Sequence, residues 1–346
     1  MEITAYNDME LSQIEDMVDS WTKQPVSKTH LDPVEAIKIT SGYAIEQHQW
    51  ANYHQLMELT TNQDIKELFA AIGAWEESHQ ATFGSLVDPE TTPLEASLTL
   101  QMTAIQSFSD AAQLEPSENC KMTYDYILLD HLTQAKALSD TMSSVGTNPE
   151  GVIKESMQLM EGRPFSKQYI PTKDLLKRPL DKNSDNIMSF VNLHTLLANE
   201  KQLRNEFQTI RKMLPSQNIR RLYNRITSVE TEHVTMLASL RDPNITLLEY
   251  AMINELMEIR NHQLGMQIAK NDAAREAFEY ALNGDQGHLS WLRDAYSSIE
   301  KGDSSKFAIP DNLFATPPLP VNDYVKQVMQ TQMGITPKGM GFEKAA

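Results

Sequence analysis

The sequence has little of what several classes of protein site require. It contains one cysteine, Cys120, so a single chain cannot form a disulfide framework or a four-cysteine zinc or iron–sulfur site. It has 30 basic against 47 acidic residues and a net charge of −17. This balance argues against a nucleic-acid partner, because phosphate contacts need clustered Lys and Arg. If a metal ion binds, its ligands must therefore be nitrogen and oxygen atoms.

Long apolar runs are also missing. No stretch approaches the roughly 18 uninterrupted apolar residues of a membrane span. The first twenty residues, MEITAYNDMELSQIEDMVDS, are acidic and lack the apolar region of a signal peptide. We therefore expect a cytoplasmic protein without a membrane partner.

Glycine and proline, at 13 and 16 residues, are sparse and leave long stretches without helix breakers. Apolar residues in these stretches recur at spacings of three and four, which is typical of amphipathic helices. No segment shows sustained alternation, so the sequence predicts an all-α protein. Breakers divide it into eight helices of the length expected in helical bundles, near 34–61, 63–86, 93–113, 119–143, 187–213, 216–240, 245–269 and 272–300.

One stretch of sequence is repeated. EESHQATFGSLVDPETTPLE, beginning at Glu76, and ETEHVTMLASLRDPNITLLE, beginning at Glu230, match at nine positions with an offset of 154 residues. Such a repeat indicates two copies of one ancestral unit. We predict two consecutive bundles, a first at 34–145 and a second at 187–302. A linker at 146–186 joins them and contains a short helix near 150–161. An N-terminal helical extension at 1–33 precedes the first bundle, and a Pro- and Gly-rich tail at 303–346 follows the second.

The second helix of each copy carries a Glu and a His on its apolar face. In the first copy these are Glu76 and His79, and in the second Glu230 and His233, each continuing a stripe of Ile and Leu at helical spacing. A buried carboxylate costs several kcal/mol unless it is paired or bound to a metal. The stripes therefore predict a metal site or a set of mutually satisfied polar residues.

In the second copy all four helices place a carboxylate on the apolar face. The predicted ligands are Glu200, Glu230, His233, Glu255, Asp285 and His288. Two acid-x-x-His pairs each project a carboxylate and an imidazole to one side of a helix, and four carboxylates are neutralised by two divalent cations. We predict a dinuclear centre here. Glu258, one turn beyond Glu255, is the alternative ligand on the third helix, and His262 is expected to support a ligand or to pack in the core.

The first copy lacks half of this set. Its equivalent positions hold Glu46, Glu76, His79, Gln101, His131 and Gln134. Two carboxylates cannot neutralise two divalent ions, so we expect at most one metal ion, held by Glu46, Glu76, His79 and His131. The alternative is a polar core without metal.

The four helices of the second copy carry, in order, a single Glu, ETEH, a single Glu and DQGH. This order resembles the ligand pattern of the ferritin-like di-iron and di-manganese carboxylate proteins, which are four-helix bundles of the rubrerythrin and bacterioferritin kind. The intervals from Glu200 to Glu230 and from Glu255 to Asp285 are both 30 residues. Asp285 departs from the Glu usual in that family. The resemblance covers most of 187–300 and, more weakly, 34–143. It implies two tandem ferritin-like bundles, with two Fe or Mn ions in the C-terminal one and up to one ion in the N-terminal one.

The resemblance further implies a non-haem oxidoreductase that reacts with dioxygen or peroxide, as an oxidase, hydroxylase or peroxidase. Electrons would come from a separate donor or from the substrate, because no Cys-rich segment is present. Alternatives are a ferroxidase or iron-handling protein, a dimanganese catalase, and a non-catalytic helical scaffold. Association into a homo-oligomer stays open. Three aromatic residues lie near predicted ligands in the sequence, namely Tyr223, Tyr280 and Trp291. They either carry oxidising equivalents or contribute only to packing.

Overall fold

The computed structural model describes residues 11–28, 30–153 and 159–332, and these residues form helices and connecting segments without a β-strand. The predicted all-α fold is confirmed. The long helices are α2 (Pro33–Glu58), α3 (Gln63–Leu86), α4 (Pro93–Leu114), α5 (Glu118–Ser144), α8 (Ile187–Met213), α9 (Gln217–Ser239), α10 (Leu247–Ile268) and α11 (Asp272–Ala295). The short ones are α1 (Leu11–Ser20), α6 (Phe165–Gln168), α7 (Thr172–Leu175) and α12 (Val321–Gln332).

The third helix of each copy, α4 in the first and α10 in the second, begins alike because its capping residues are repeated. The Thr92 hydroxyl accepts a hydrogen bond from the Glu95 amide at 3.3 Å while the Glu95 carboxylate accepts one from the Thr92 amide at 2.8 Å. Thr246 and Glu249 form the same capping box at the start of α10. Such caps stabilise a helix by about 1 kcal/mol.

The chain divides into two compact units, and each unit combines helices from both copies. Unit 1 contains α2, α3, α10 and α11, whereas unit 2 contains α4, α5, α8 and α9. The chain passes from one unit to the other between Glu90 and Thr91, between Asn244 and Ile245, and again after Phe314. This division corrects the prediction of consecutive bundles at 34–145 and 187–302. The first two helices of each copy are packed with the last two helices of the other.

The first two of these passages lie in equivalent turns, one after Asp88-Pro89 and one after Asp242-Pro243. Proline disfavours the helical conformation of the residue before it, and Val87 at the end of α3 is already extended, with φ −66° and ψ 131°. The chain therefore leaves α3 through an extended turn.

Unit 1 is built from two helical hairpins. α2 packs on α3 and α10 on α11, while α2 also contacts α10 and α3 contacts α11. Fully buried apolar residues such as Ile45, Ile72 and Leu256 fill the interior, and each stabilises the fold by about 1.5–3 kcal/mol relative to an exposed side chain. Phe83 and Phe278 pack together near one end, with ring centroids 5.0 Å apart. The hairpins thus bring four apolar stripes to one interior.

Unit 2 has the same plan, with α4 on α5, α8 on α9, α4 against α8 and α5 against α9. The C-terminal helix α12 packs on α4 and α5. Tyr324 donates a hydrogen bond to Asp125 at 2.6 Å and contacts the Lys121 ammonium. The predicted tail at 303–346 is therefore docked as far as this helix, and residues 333–346 lie outside the described residues.

The predicted linker, 146–186, also belongs to unit 2. Its backbone is tied to α9 and the residue after it, with Ile170 N donating to the Glu232 carboxylate and Leu180 N to the Leu240 carbonyl, both at 2.8 Å. The short helix predicted near 150–161 is a 3₁₀ turn at Pro149–Gly151 as far as the structure describes it, because 154–158 lie outside the described residues. Of the extension at 1–33, residues 1–10 and 29 also lie outside them.

Candidate metal centres

The interior of unit 1 holds eight ionisable acid and histidine side chains, all fully buried. They come from all four helices, so each hairpin supplies part of the cluster. The eight are Glu46 on α2, Glu76 and His79 on α3, Glu255, Glu258 and His262 on α10, and Asp285 and His288 on α11.

Six of these residues form two overlapping groups of four. The first group is Glu46, Glu76, His79 and Asp285, and the second is Glu76, Glu255, Asp285 and His288. Within each group one potential ligand atom per residue lies within 4.8 Å of the others. Glu76 and Asp285 belong to both groups, which is the arrangement that two neighbouring ions with shared carboxylates require.

The two oxygens of Glu76 face different histidines. Its Oε1 lies 3.2 Å from His288 Nδ1, and its Oε2 lies 3.4 Å from His79 Nδ1. Asp285 Oδ1 lies 3.5 Å from the same nitrogen of His79. Each group then adds one carboxylate of its own, Glu46 beside His79 at 3.4 Å and Glu255 beside His288 at 3.4 Å.

Many polar atoms of this cluster have no hydrogen-bond partner among the residues that the structure describes. They include Glu46 Oε2, both oxygens of Glu76, both ring nitrogens of His79, Glu255 Oε2 and Asp285 Oδ1. Buried polar groups are nearly always satisfied, since an unpaired one costs about 1–3 kcal/mol and a charged one more. Divalent cations would neutralise the four carboxylates of the two groups, so the residues present could hold metal.

Electrostatics within the cluster favour protons on several of these groups when no cation is bound. Burial raises the pKa of Glu255 to about 8, although the neighbouring His288 opposes the shift. Burial, followed by the charges of Glu76 and Glu255, raises the pKa of Glu258 well above its usual value. Burial alone would lower the pKa of His79, but the nearby carboxylates, Glu46 foremost, raise it well above the usual range. Cations binding here would displace protons.

Three further residues contact or adjoin the two groups. Tyr53 on α2 donates a hydrogen bond to Glu255 Oε1. His262 lies between carboxylates, with Nδ1 2.7 Å from Asp285 Oδ2 and Nε2 2.9 Å from Glu46 Oε1. Glu258, weighed above as an alternative to Glu255, is not a member of either group, although it is fully buried and both its oxygens lack partners.

Unit 2 contains a different constellation at the equivalent positions. His131, Glu200, Glu230 and His233 are fully buried, with one ligand atom each within 4.8 Å of the others. Gln101 and Gln134 stand where unit 1 has Glu255 and His288. Gln101 Nε2 donates to Gln134 Oε1 at 2.7 Å, and Gln101 Oε1 lies 2.8 Å from His131 Nδ1.

The structure divides both predicted ligand sets between the units. Of the six-residue set, Glu200, Glu230 and His233 lie in unit 2, whereas Glu255, Asp285 and His288 lie in unit 1. Of the second set, Glu46, Glu76 and His79 lie in unit 1 and His131 lies in unit 2. The physical reason is the exchange of helix pairs, since each group of ligands is completed by helices of the other copy.

Of the three aromatic residues named in the sequence analysis, two lie beside predicted ligands and one packs in the interior of unit 2. The Tyr280 ring meets the His79 ring edge-on at 5.2 Å, and Trp291 lies 5.6 Å from the His288 ring. Tyr223 in unit 2 packs on Phe207 and bonds to a serine hydroxyl.

Sequence reasoning missed Tyr53 and Asp130. Tyr53 follows Glu46 by seven residues, or two helical turns on the same face, which is a signal that could have found it. Asp130, whose Oδ2 lies 3.1 Å from His233 Nε2, directly precedes His131 and has no comparable signal.

Comparison with known protein families, with curated proteins and with solved structures gave no match. The helical architecture and the buried acid and histidine clusters are compatible with a ferritin-like bundle. In the part of the chain that the structure describes, no helix is long and apolar enough to cross a membrane.

Proposed function

We propose that the chain is a ferritin-like, non-haem dinuclear metal protein whose unit 1 centre reacts with dioxygen or peroxide, as an oxidase, hydroxylase or peroxidase. One observation carries this proposal. Two groups of buried ligands share Glu76 and Asp285, while each has its own histidine and its own glutamate. Shared carboxylates hold two ions close together, which a set of independent ion pairs would not require.

The residues divide naturally between the two ions. Glu46 and His79 would hold one ion and Glu255 and His288 the other, with Glu76 and Asp285 common to both, as the carboxylate oxygens described above allow. Iron bound by such oxygen-rich ligands supplies redox chemistry toward dioxygen or peroxide, because hard ligands stabilise its higher oxidation states. Manganese fits the same ligands.

The surrounding residues orient these ligands and hold protons beside them. The Tyr53 hydroxyl fixes one oxygen of Glu255, and His262 contacts one oxygen each of Glu46 and Asp285. Outer partners of this kind commonly alter metal affinity or activity by about 10–100-fold. The Glu258 carboxyl, buried and without a partner, is placed to hold a proton next to the four ligand carboxylates.

The proposal is tested by loading the metal-free chain anaerobically with Fe(II) or Mn(II) and counting bound ions. Air or hydrogen peroxide is then added while the near-ultraviolet spectrum is recorded. We expect metal binding followed by a rapid spectral change with one of the two oxidants. A chain that binds neither Fe nor Mn refutes the proposal.

A matched pair of substitutions on α3 locates the centre. Glu76→Gln removes the charge of the carboxylate common to both groups and should abolish the spectral change. Glu77→Gln is the control, because Glu77 is the exposed neighbour on the same helix and should behave as wild type. Equal responses of the two variants would show that the reacting metal is elsewhere.

The same experiment separates the alternatives. Continued oxidation of Fe(II) far beyond the bound amount indicates a ferroxidase or iron-handling protein. Peroxide decomposition by the Mn-loaded chain alone indicates a dimanganese catalase. Binding with no response to either oxidant leaves a helical scaffold with a structural metal.

A further inference from the structure

Unit 2 contains a second buried ligand group that the proposed function does not use. Its four members are His131, Glu200, Glu230 and His233, with ligand atoms within 4.8 Å of one another. Glu200 Oε2 is buried and has no hydrogen-bond partner in residues 11–28, 30–153 and 159–332. This unsatisfied oxygen faces His233 Nδ1 at 3.5 Å without hydrogen-bond geometry, so the group is not complete as a set of ion pairs.

The His131 ring is oriented by a chain of side-chain amides. Gln101 donates through Nε2 to Gln134 Oε1 at 2.7 Å, which turns Gln101 Oε1 toward His131 Nδ1 at 2.8 Å. With Gln101 in this orientation, His131 Nδ1 donates to its oxygen. The other ring nitrogen, Nε2, faces Glu200 Oε1 at 2.7 Å, and in the neutral imidazole this nitrogen can act as a metal ligand.

The His233 ring is oriented by a carboxylate. Its Nε2 lies 3.1 Å from Asp130 Oδ2, whose other oxygen lies 3.8 Å from the buried Arg163 guanidinium. His233 Nδ1 then faces Glu230 Oε2 at 2.9 Å. A ligating histidine usually donates its second N–H to a carboxylate or carbonyl, and both histidines of this group have such an acceptor.

We propose that unit 2 binds one divalent transition-metal ion through His131 Nε2, His233 Nδ1 and the carboxylates of Glu200 and Glu230. Two carboxylates neutralise one such ion, while the charge of Asp130 is balanced by Arg163. The uncharged amides of Gln101 and Gln134 cannot neutralise a second ion. Two imidazoles with two carboxylates favour Zn²⁺, Co²⁺ or Fe²⁺ over Ca²⁺ and Mg²⁺.

The test uses the full chain, freed of metal and then loaded anaerobically with Co(II). Glu76→Gln combined with Asp285→Asn removes the shared ligands of unit 1, and Glu230→Gln removes a ligand of unit 2. Bound cobalt is counted after desalting, and its visible absorption is recorded. The double variant should retain one Co(II) per chain, and adding Glu230→Gln should remove it. Glu230→Gln alone should lose one ion and leave those of unit 1.

A fourth variant separates a metal site from a structural ion-pair network. Asp130→Asn keeps all four ligands but weakens the acceptor of His233, so we expect Co(II) affinity to fall by about 10–100-fold with unchanged helical circular dichroism. If unit 2 holds only a structural ion-pair network, Asp130→Asn should change the stability of the chain and leave its affinity for Co(II) unaltered. The proposal is overturned if the folded double variant binds no Co(II), or if Glu230→Gln retains the wild-type metal content. If these variants do not fold, native mass spectrometry of the loaded wild-type chain decides, and a count that never exceeds the two ions of unit 1 overturns it.

Discussion

Gly284 on α11 offers a sensitive test of where His79 lies. A Cβ atom at this position would stand 2.6 Å from both Cε1 and Nε2 of the His79 ring, whereas carbon atoms in ordinary contact are about 3.5–4.0 Å apart. The ring is fully buried and held between Tyr280 and the carboxylates of the first group, so it cannot simply turn away. Gly284→Ala should therefore displace one ligand of the unit 1 centre.

The expected magnitude follows from two opposing effects. Replacing glycine by alanine inside a helix stabilises it by roughly 1 kcal/mol, whereas forcing an extra carbon into a packed interior costs about 1–3 kcal/mol. The net effect of Gly284→Ala is thus about 0–2 kcal/mol of destabilisation. Gly287, one turn later on the same helix, has no atom within 4 Å of an added Cβ. Gly287→Ala should be stabilising by about 1 kcal/mol, so the two variants differ by about 1–3 kcal/mol.

The assay combines thermal unfolding of the metal-free chain with the metal content of the loaded chain. We expect a lower Tm and loss of about one ion for Gly284→Ala, against a raised Tm and full metal content for Gly287→Ala. In a His79→Ala background the clash is absent, so Gly284→Ala should become stabilising by about 1 kcal/mol, and this reversal of sign is a double-mutant test. The same Tm and metal content in both glycine variants would refute the placement of His79 against α11.

Three other outcomes are expected. Tyr53→Phe removes the hydroxyl that donates a hydrogen bond to Glu255, and such a bond to a charged group contributes about 1.5–3 kcal/mol. The affinity of unit 1 for metal should therefore fall about tenfold or more in a chelator titration. An unchanged affinity would contradict this role of Tyr53. Burial raises the pKa of Cys120 to about 12, so iodoacetamide should modify the native chain very slowly from pH 7 to pH 9 and the unfolded chain readily, and equal rates would be inconsistent with burial. Tyr324→Phe removes the contact with Asp125 and should make the segment around α12 more sensitive to a protease, whereas unaltered cleavage would show that other contacts hold it.

Local signals in the sequence predicted the helices well. The stretch predicted as 63–86 is α3 at Gln63–Leu86, and 187–213 is α8 at Ile187–Met213, because caps and breakers act within a few residues. The last long helix was less well predicted, since 272–300 contains α11 followed by a π-helical turn at Tyr296–Glu300. Five residues are too few for a change from α-helical to π-helical geometry to alter the spacing of apolar residues.

The partners of each helix could not be predicted in this way. An apolar stripe shows which face of a helix is buried but not which helix covers it. Because the two copies carry similar stripes, the sequence does not indicate which copy supplies the covering helix. The sequence therefore grouped Glu230 with Asp285, although the structure groups Glu230 with His131 and Asp285 with Glu76. The sequence predicted that these acid and histidine side chains face the interior, as the structure shows, but their grouping in two places depends on the packing.

The exchange of helix pairs also accounts for residues that consecutive bundles leave unexplained. Under consecutive packing Glu76 and His79 would belong to the copy with Gln101 and Gln134, whereas the exchange places them beside Asp285 and His288. Two smaller differences between the copies involve buried hydrogen bonds. Tyr53, which is Phe207 in the second copy, donates to Glu255; Asp130, which is Gly284 in the second copy, accepts from His233.

In consecutive bundles both of these pairs would be broken. The fully buried Glu255 would lie in the bundle that has Phe207 at the position of Tyr53, and Asp130 in the bundle of His79 rather than His233. Glu255 would then lose its hydrogen bond from Tyr53, and bonds to charged groups contribute about 1.5–3 kcal/mol, a large part of the roughly 5–15 kcal/mol that stabilises a typical domain. Asp130 would face His79, the equivalent of His233, so its pairing does not distinguish the two arrangements. The hydrogen bond between Tyr53 and Glu255 therefore forms only when each unit takes one helix pair from each copy.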